Sequence, residues 1–216
     1  MSVRERRFRR APEDERRAEL IEATLQVIAD EGLLGATVRN IAARTEVTAG
    51  LIRHYFAGKD ELIHEAYRVL VQRMVALTRD AINRETEPLA RLRAFIATQF
   101  GMPLFDGGFF RQWAIFVSLI HLDAKMAQIH HDGFAQFKSE VEDLVGPALR
   151  ASGRDLTPDE VHRLTYAVNG VIDGLWLEGC LHQSGVDGPD FEGIAVATIE
   201  TLLAVKLPEL VPRPEA

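Results

Sequence analysis

A single cysteine, Cys180, in 216 residues excludes an intrachain disulfide. No metal-ligand spacing surrounds it, so it reads as a small buried apolar side chain in a reducing compartment. Long apolar runs are missing too: no stretch reaches the roughly eighteen uncharged residues of a membrane helix. The N-terminus, MSVRERRFRRAPEDERR, lacks the apolar core of a signal peptide, which makes the cytoplasm the expected location. Strand signals are absent as well, with neither period-two alternation nor an Asn-Gly turn between apolar runs, and this predicts an all-α chain. No glycine-rich phosphate loop occurs, and Ser118, Ser139 and Ser184 sit in no nucleophile-elbow pattern, so no cofactor and no enzymatic activity are expected.

What is present is an uneven distribution of charge. The net charge is -7, but residues 1–68 balance twelve Lys/Arg against twelve Asp/Glu, so the whole excess of acid lies in the remainder. Within residues 37–59, Arg39, Arg44, Arg53 and Lys59 face Glu46 alone, a local balance of +3 with His54 beside it. A basic head on an acidic body is oriented toward a polyanion, because the body is repelled by it.

The chain divides into a basic arm over 1–11, a head over 12–58 and a body over 59–216. The arm, with Arg4, Arg6, Arg7, Arg9 and Arg10, is either a phosphate contact or a solvated tail. Pro12 and Glu13 to Glu15 suit the start of a helix whose stripe of Ile21, Thr24, Leu25 and Ile28 ends at Gly32. Thr37 caps a second short helix with Ile41 and Ala42 on its inner face, Thr45 to Val47 turn, and Thr48 caps a third with Leu51, Ile52 and Phe56 inward. A fourth helix begins near Lys59 and runs to Ile82, longer than the head requires.

The body reads as further helices, about nine in all. Pro88 opens one; FFRQWAIFVSLIHL, residues 109–122, is nearly all apolar and is expected to be buried on most sides. The next spans 125–151, with Gly133 and Gly146-Pro147 as points where it could bend. Thr157 and Glu160 form a capping box that starts a helix to about Gln183. Ala167, Gly170 and Gly174 give that helix a line of small residues, and Ile194, Ile199 and Leu202 lie on the last one. These six residues mark a subunit interface, or else both helices complete the core of one chain.

TVRNIAARTEVTAGLIRHYFAGKDEL, residues 37–62, resembles the helix-turn-helix of the TetR family of bacterial transcriptional regulators. FRQWAIFVSLIH and NGVIDGLWLEGCL resemble the C-terminal domain of its BetI-type members, which regulate choline to glycine betaine metabolism. The arginine-rich arm, and Arg53 where a small polar residue is usual, depart from that type.

The resemblance implies a homodimer that places two heads on a pseudo-palindromic double-stranded operator, commonly as a repressor, and is released by a small molecule. The third helix would enter the major groove with Thr48, Ala49, Gly50, Arg53 and His54, while Thr37, Arg39, Tyr55 and Lys59 touch the backbone. Arg53 can instead hold a phosphate, and His54 and Tyr55 can be plain surface packing. In the body, Trp113, Phe116, Tyr166 and Trp176 with Asp173, and Glu178 nearby, could form an aromatic pocket for a quaternary amine such as choline, or serve as core. Two minor alternatives are a metal-responsive regulator using His121, Asp123, His130 and His131, and a metal-dependent helical enzyme using Glu61 and His64. The second E-x-x-H that a di-iron site needs is missing.

Overall fold

The computed structural model describes residues 13–101, 104–105, 107–181 and 190–210. The arm of residues 1–11, Pro12, the side chain of Cys180 and residues 182–189 between the last two helices, with Gln183 and Ser184, lie outside that set. Nine helices and no strand occur among the described residues: α1 (Glu13–Gly35), α2 (Val38–Arg44), α3 (Ala49–Tyr55), α4 (Lys59–Asn83), α5 (Pro88–Phe100), α6 (Gly107–Leu119), α7 (Ala124–Ala151), α8 (Pro158–Leu181) and α9 (Phe191–Leu203). They fall into two compact units, Met1–Val69 and Leu70–Ala216, with the division inside α4. No helix among the described residues is long and apolar enough to cross a membrane.

In the first unit, Leu20, Ile28, Ile41, Ile52 and Phe56 are almost wholly buried. Each such side chain contributes roughly 1.5–3 kcal/mol when removed from water, which is how two helices of seven residues persist at all. Gly32 interrupts α1 at φ 72°, a left-handed conformation that glycine adopts without strain, and the helix resumes to Gly35 rather than ending there. Thr37 and Thr48 cap α2 and α3 by accepting from the backbone N–H of Asn40 at 3.1 Å and Leu51 at 3.2 Å. Glu46 makes the turn between them at φ 53°, uncommon for a residue with a Cβ, and the Val47 N–H donates to the Ala42 carbonyl at 3.1 Å.

The second unit is centred on α5, α7, α8 and α9, whose Phe95, Val145, Leu149, Val168, Ala195 and Leu203 are fully buried. The capping box forms: Thr157 N–H donates to Glu160 Oε2 at 2.9 Å and Glu160 N–H to Thr157 Oγ1 at 3.4 Å. The helix from Ala124 runs through Gly133 and Pro147 to Ala151 without a break. Gly133 is needed for packing, since a Cβ there would stand 2.4 Å from Val71 Cγ1.

Two expectations are corrected here. Residues of α6 are mostly half-exposed, and Phe116 alone among them is fully buried, because this helix lies along the edge of the unit instead of inside it. Ile199 is wholly enclosed in the core of its own chain, so it cannot belong to an intersubunit face.

Candidate functional site

The first unit places Thr37, Arg39, Thr48, Ala49, Gly50, Arg53 and His54 in exposed positions, with Tyr55 and Lys59 half-buried. Three devices fix the third helix in the unit. Thr48 caps its start, Ile52 anchors its inner side, and the Arg17 guanidinium donates to the Tyr55 carbonyl at 2.5 Å while lying 4.4 Å from the centre of the Phe56 ring. His54 meets Tyr55 edge to face at 5.1 Å, so these two rings brace each other at the end of α3. The link into α4 is closed by the Glu61 carboxylate accepting from the Ala57 N–H, and Glu61 is thereby a cap residue.

The charge count over residues 37–59 changes once the side chains are placed. Arg44 turns back to α1, pairing with Asp30 at 2.6 Å and Glu31 at 3.3 Å, and the Asp30 hydrogen bond is the chief reason its pKa is raised. Its charge is spent on joining α2 to α1. Arg39, Arg53 and Lys59 make no ion pair among the described residues and remain available to an anion.

In the second unit, α6 and α8 bring Trp113 and Trp176 together edge to face, ring centres 5.0 Å apart at 87°. Phe110 adds a ring 5.2 Å from Trp176, and Phe109 another at 6.4 Å. Trp113, Trp176 and Asp173 line a narrow, partly open cavity of about 30 Å³ together with Met74, Gln99, Leu104, Phe109, Phe134, Phe137 and Ile172. The Trp176 indole N–H donates to the Leu104 carbonyl at 3.2 Å, which fixes the ring and ties the α5–α6 connection to α8. Gln99 is held by its Nε2, which donates to Thr78 Oγ1 at 3.2 Å and to the Phe95 carbonyl at 3.4 Å.

Asp173 is exposed as a residue, yet the rings on its inner side strip water from the carboxyl. That loss of hydration raises its pKa from 3.8 to about 6, against the opposing pull of the Lys138 ammonium. Such a carboxylate beside aromatic faces suits a large, weakly hydrated cation.

Not every expected pocket residue is brought there. Phe116 packs at 0% exposure and Tyr166 lies outside the cavity at 49% exposure, both excluded from its wall. Tyr166 instead meets His162 edge to face and carries the Lys138 ammonium 3.8 Å from its ring centre. Phe109, Phe134, Phe137, Gln99 and Leu104 were missed by sequence reasoning. Helical periodicity marks them as apolar or polar but does not reveal that α5, α6 and α7 converge on one void.

Of the remaining interface residues, Gly170 and Gly174 have open space where a Cβ would stand, Ala167 and Leu202 are half-buried, and Ile194 is 43% exposed. Leu177 and Leu181 also stand exposed on α8, at 44% and 64%. The minor alternative, a metal group of His121, Asp123, His130 and His131, does not assemble. Asp123 Oδ1 caps α7 by accepting from the N–H of Lys125 and Met126, His130 stacks on Phe134, and no trio of metal-ligating side chains exists among the described residues.

Residues 20–66 match the family of bacterial regulatory proteins named for TetR, and residues 88–204 match the C-terminal domain of BetI-type transcriptional repressors. The chain is 31% identical over 190 residues to the HTH-type transcriptional regulator BetI of Paraburkholderia phymatum, covering 88% of this chain and 93% of that one. A transcriptional regulator of Pseudomonas aeruginosa PAO1 shares 28% identity with a TM-score of 0.80, covering 94% of this chain and 97% of that one. A regulator from Saccharomonospora viridis, solved in complex with choline, shares the fold at 18% identity and a TM-score of 0.76, covering 87% and 96%. All of these relatives are transcriptional regulators rather than enzymes. The chain therefore belongs to the TetR family of DNA-binding transcriptional regulators, with a BetI-type repressor domain behind its helix-turn-helix.

Proposed function

We propose that this protein is a cytoplasmic, dimeric repressor whose pocket takes a quaternary amine, choline or a close analogue, and whose operator affinity falls when that pocket is filled. Residues 12–58 form the DNA-binding domain, 59–216 the ligand-binding and dimerisation domain, and the arm over 1–11 adds contacts to phosphate. On DNA, Arg53 with Thr48, Ala49, Gly50 and His54 faces base edges in the major groove, and Thr37, Arg39, Tyr55 and Lys59 grip the backbone. Two heads on a twofold axis read half-sites roughly 34–36 Å apart.

The observation that carries the effector reading is the pair of perpendicular indoles, Trp113 and Trp176, sharing one cavity with the Asp173 carboxylate. Aromatic faces attract a cation through the ring quadrupole, and a desolvated carboxylate neutralises it; a neutral or anionic ligand gains neither. The choline found in the Saccharomonospora viridis regulator supports the same chemistry. Because α4 runs through both units, a ligand that favours one of its positions alters head spacing, with a coupling of about 1–3 kcal/mol.

The test is to select operator duplexes from a random pool with the purified protein, then titrate choline against the bound complex. Release at millimolar choline supports the proposal. Unchanged operator affinity there would remove the quaternary amine and leave the regulator without an assigned effector.

A further inference from the structure

The pocket carboxylate has a cation of its own nearby. Lys138 projects from α7 one turn after Phe134, a pocket wall residue, and its ammonium sits 5.9 Å from the Phe134 ring centre and 3.8 Å from that of Tyr166. Tyr166 and Asp173 are seven residues apart on α8, so the two lie on one face, two turns from each other. Lys138 forms no ion pair among the described residues, and the ring face of Tyr166 holds it.

We infer that Lys138 is a specificity-setting residue: parked on Tyr166, it acts as the resident counter-charge of the Asp173 pocket and opposes the approach of a cationic effector. The inference rests on the cationic reading of the pocket and adds to it a residue outside the cavity wall. Phe134, whose ring lies 5.9 Å from the Lys138 ammonium, lines the same cavity as Asp173, so the ammonium stands at the rim of the pocket that holds the carboxylate, and it favours the charged form of that carboxylate. A second cation entering the same field meets repulsion from Lys138 as well as attraction from Asp173, and the balance sets the effector concentration at which DNA is released. Tyr166 is in this account a positioning residue, which explains why an exposed aromatic stands beside the pocket without lining it.

Other charges near the rim differ in kind. His162, edge to face with Tyr166, is paired with Glu142 at 3.1 Å, and His130, stacked on Phe134 at 4.8 Å, is held toward its neutral form by burial and by His131. Neither replaces Lys138 as the fixed positive charge.

The test uses the full chain and three forms of it: wild type, Lys138→Met and Lys138→Arg. Carboxyl carbon resonances report the Asp173 titration; calorimetry, run well above that titration so that the carboxylate is ionised in every form, reports binding of choline and of 3,3-dimethylbutan-1-ol, its uncharged isostere. With Lys138→Met, Asp173 should titrate at higher pH and choline should bind roughly three- to tenfold more tightly, as expected for removing one like charge near the rim. The uncharged isostere should be unaffected, and Lys138→Arg should behave as wild type. An Asp173 titration that does not move in Lys138→Met, or choline binding that is unchanged or weaker, would overturn the inference. If choline binds no form, the effector proposal fails, and the Asp173 titration alone then decides whether Lys138 is its counter-charge.

Discussion

Arg53 stands exposed on α3 with no ion pair among the described residues, while Arg44, nine positions earlier, is consumed by Asp30 and Glu31. The charge count over residues 37–59 weighs the two arginines alike; the positions of their neighbours remove Arg44 from it. Replacing Arg53 with alanine should relax one operator base position by roughly 1–3 kcal/mol, whereas Lys59→Ala should weaken all duplexes alike and flatten the salt slope by about one. Binding isotherms on operator and random duplex check this, and equal losses on both for Arg53→Ala would show that it reads no base. Asp173 gives a pH prediction at the same scale. Its folded pKa, about 6, lies above the 3.8 of an ordinary aspartate, so its contribution to stability is present below pH 3.8 and is lost as pH rises through 6. Asp173→Asn should therefore melt higher than wild type at pH 7, by a margin that solvent screening keeps small, and the difference should vanish near the lower value. Choline affinity should follow the opposite course in the wild type, rising through pH 6 as the carboxylate ionises, and a flat profile would show that Asp173 does not hold the cation.

Among the elements, caps were legible because they are local. Thr37, Thr48 and the Thr157–Glu160 box act within three residues of themselves, so sequence order and spatial order coincide. Apolar content was a weaker guide. The helix expected to be buried on most sides, α6, is half-exposed, with two of its rings, Phe109 and Trp113, lining a cavity, and hydrophobicity does not distinguish a core wall from a pocket wall. Gly133, expected as a bend point, sits inside a continuous α7 and permits close approach of Val71. Gly133→Ala gains about 1 kcal/mol of helix propensity but meets a stiff β-branched side chain, at an overpacking cost of about 1–3 kcal/mol. A net loss in denaturant unfolding, relieved in the Val71→Ala, Gly133→Ala double variant, is expected; a more stable single variant would mean that the α4–α7 spacing gives way freely.

For the whole molecule, Gly170, Gly174, Leu177 and Ile194 stand on an exposed face of α8 and α9, and this is the face we propose for a symmetric contact with a second copy. Since a side chain at Gly174 meets nothing within its own chain, Gly174→Glu should leave the fold intact while blocking that contact. Sedimentation should then show a dimeric wild type and a monomeric variant with an unchanged melting profile and little operator affinity. A variant that remains dimeric would place the interface elsewhere.

Sequence by itself determined the all-α class, the helix-turn-helix with its two threonine caps, and the family, because each depends on residues close together in the chain. It also named Trp113, Asp173 and Trp176, which the fold brings to one cavity. Tertiary structure alone decided that Phe116 and Ile199 are enclosed in their own chain, that Arg44 is neutralised, and that Tyr166 holds Lys138 instead of lining the cavity. Those outcomes depend on which helix lies opposite, and a 3.6-residue period gives the direction of a side chain from its own axis without saying what it will meet.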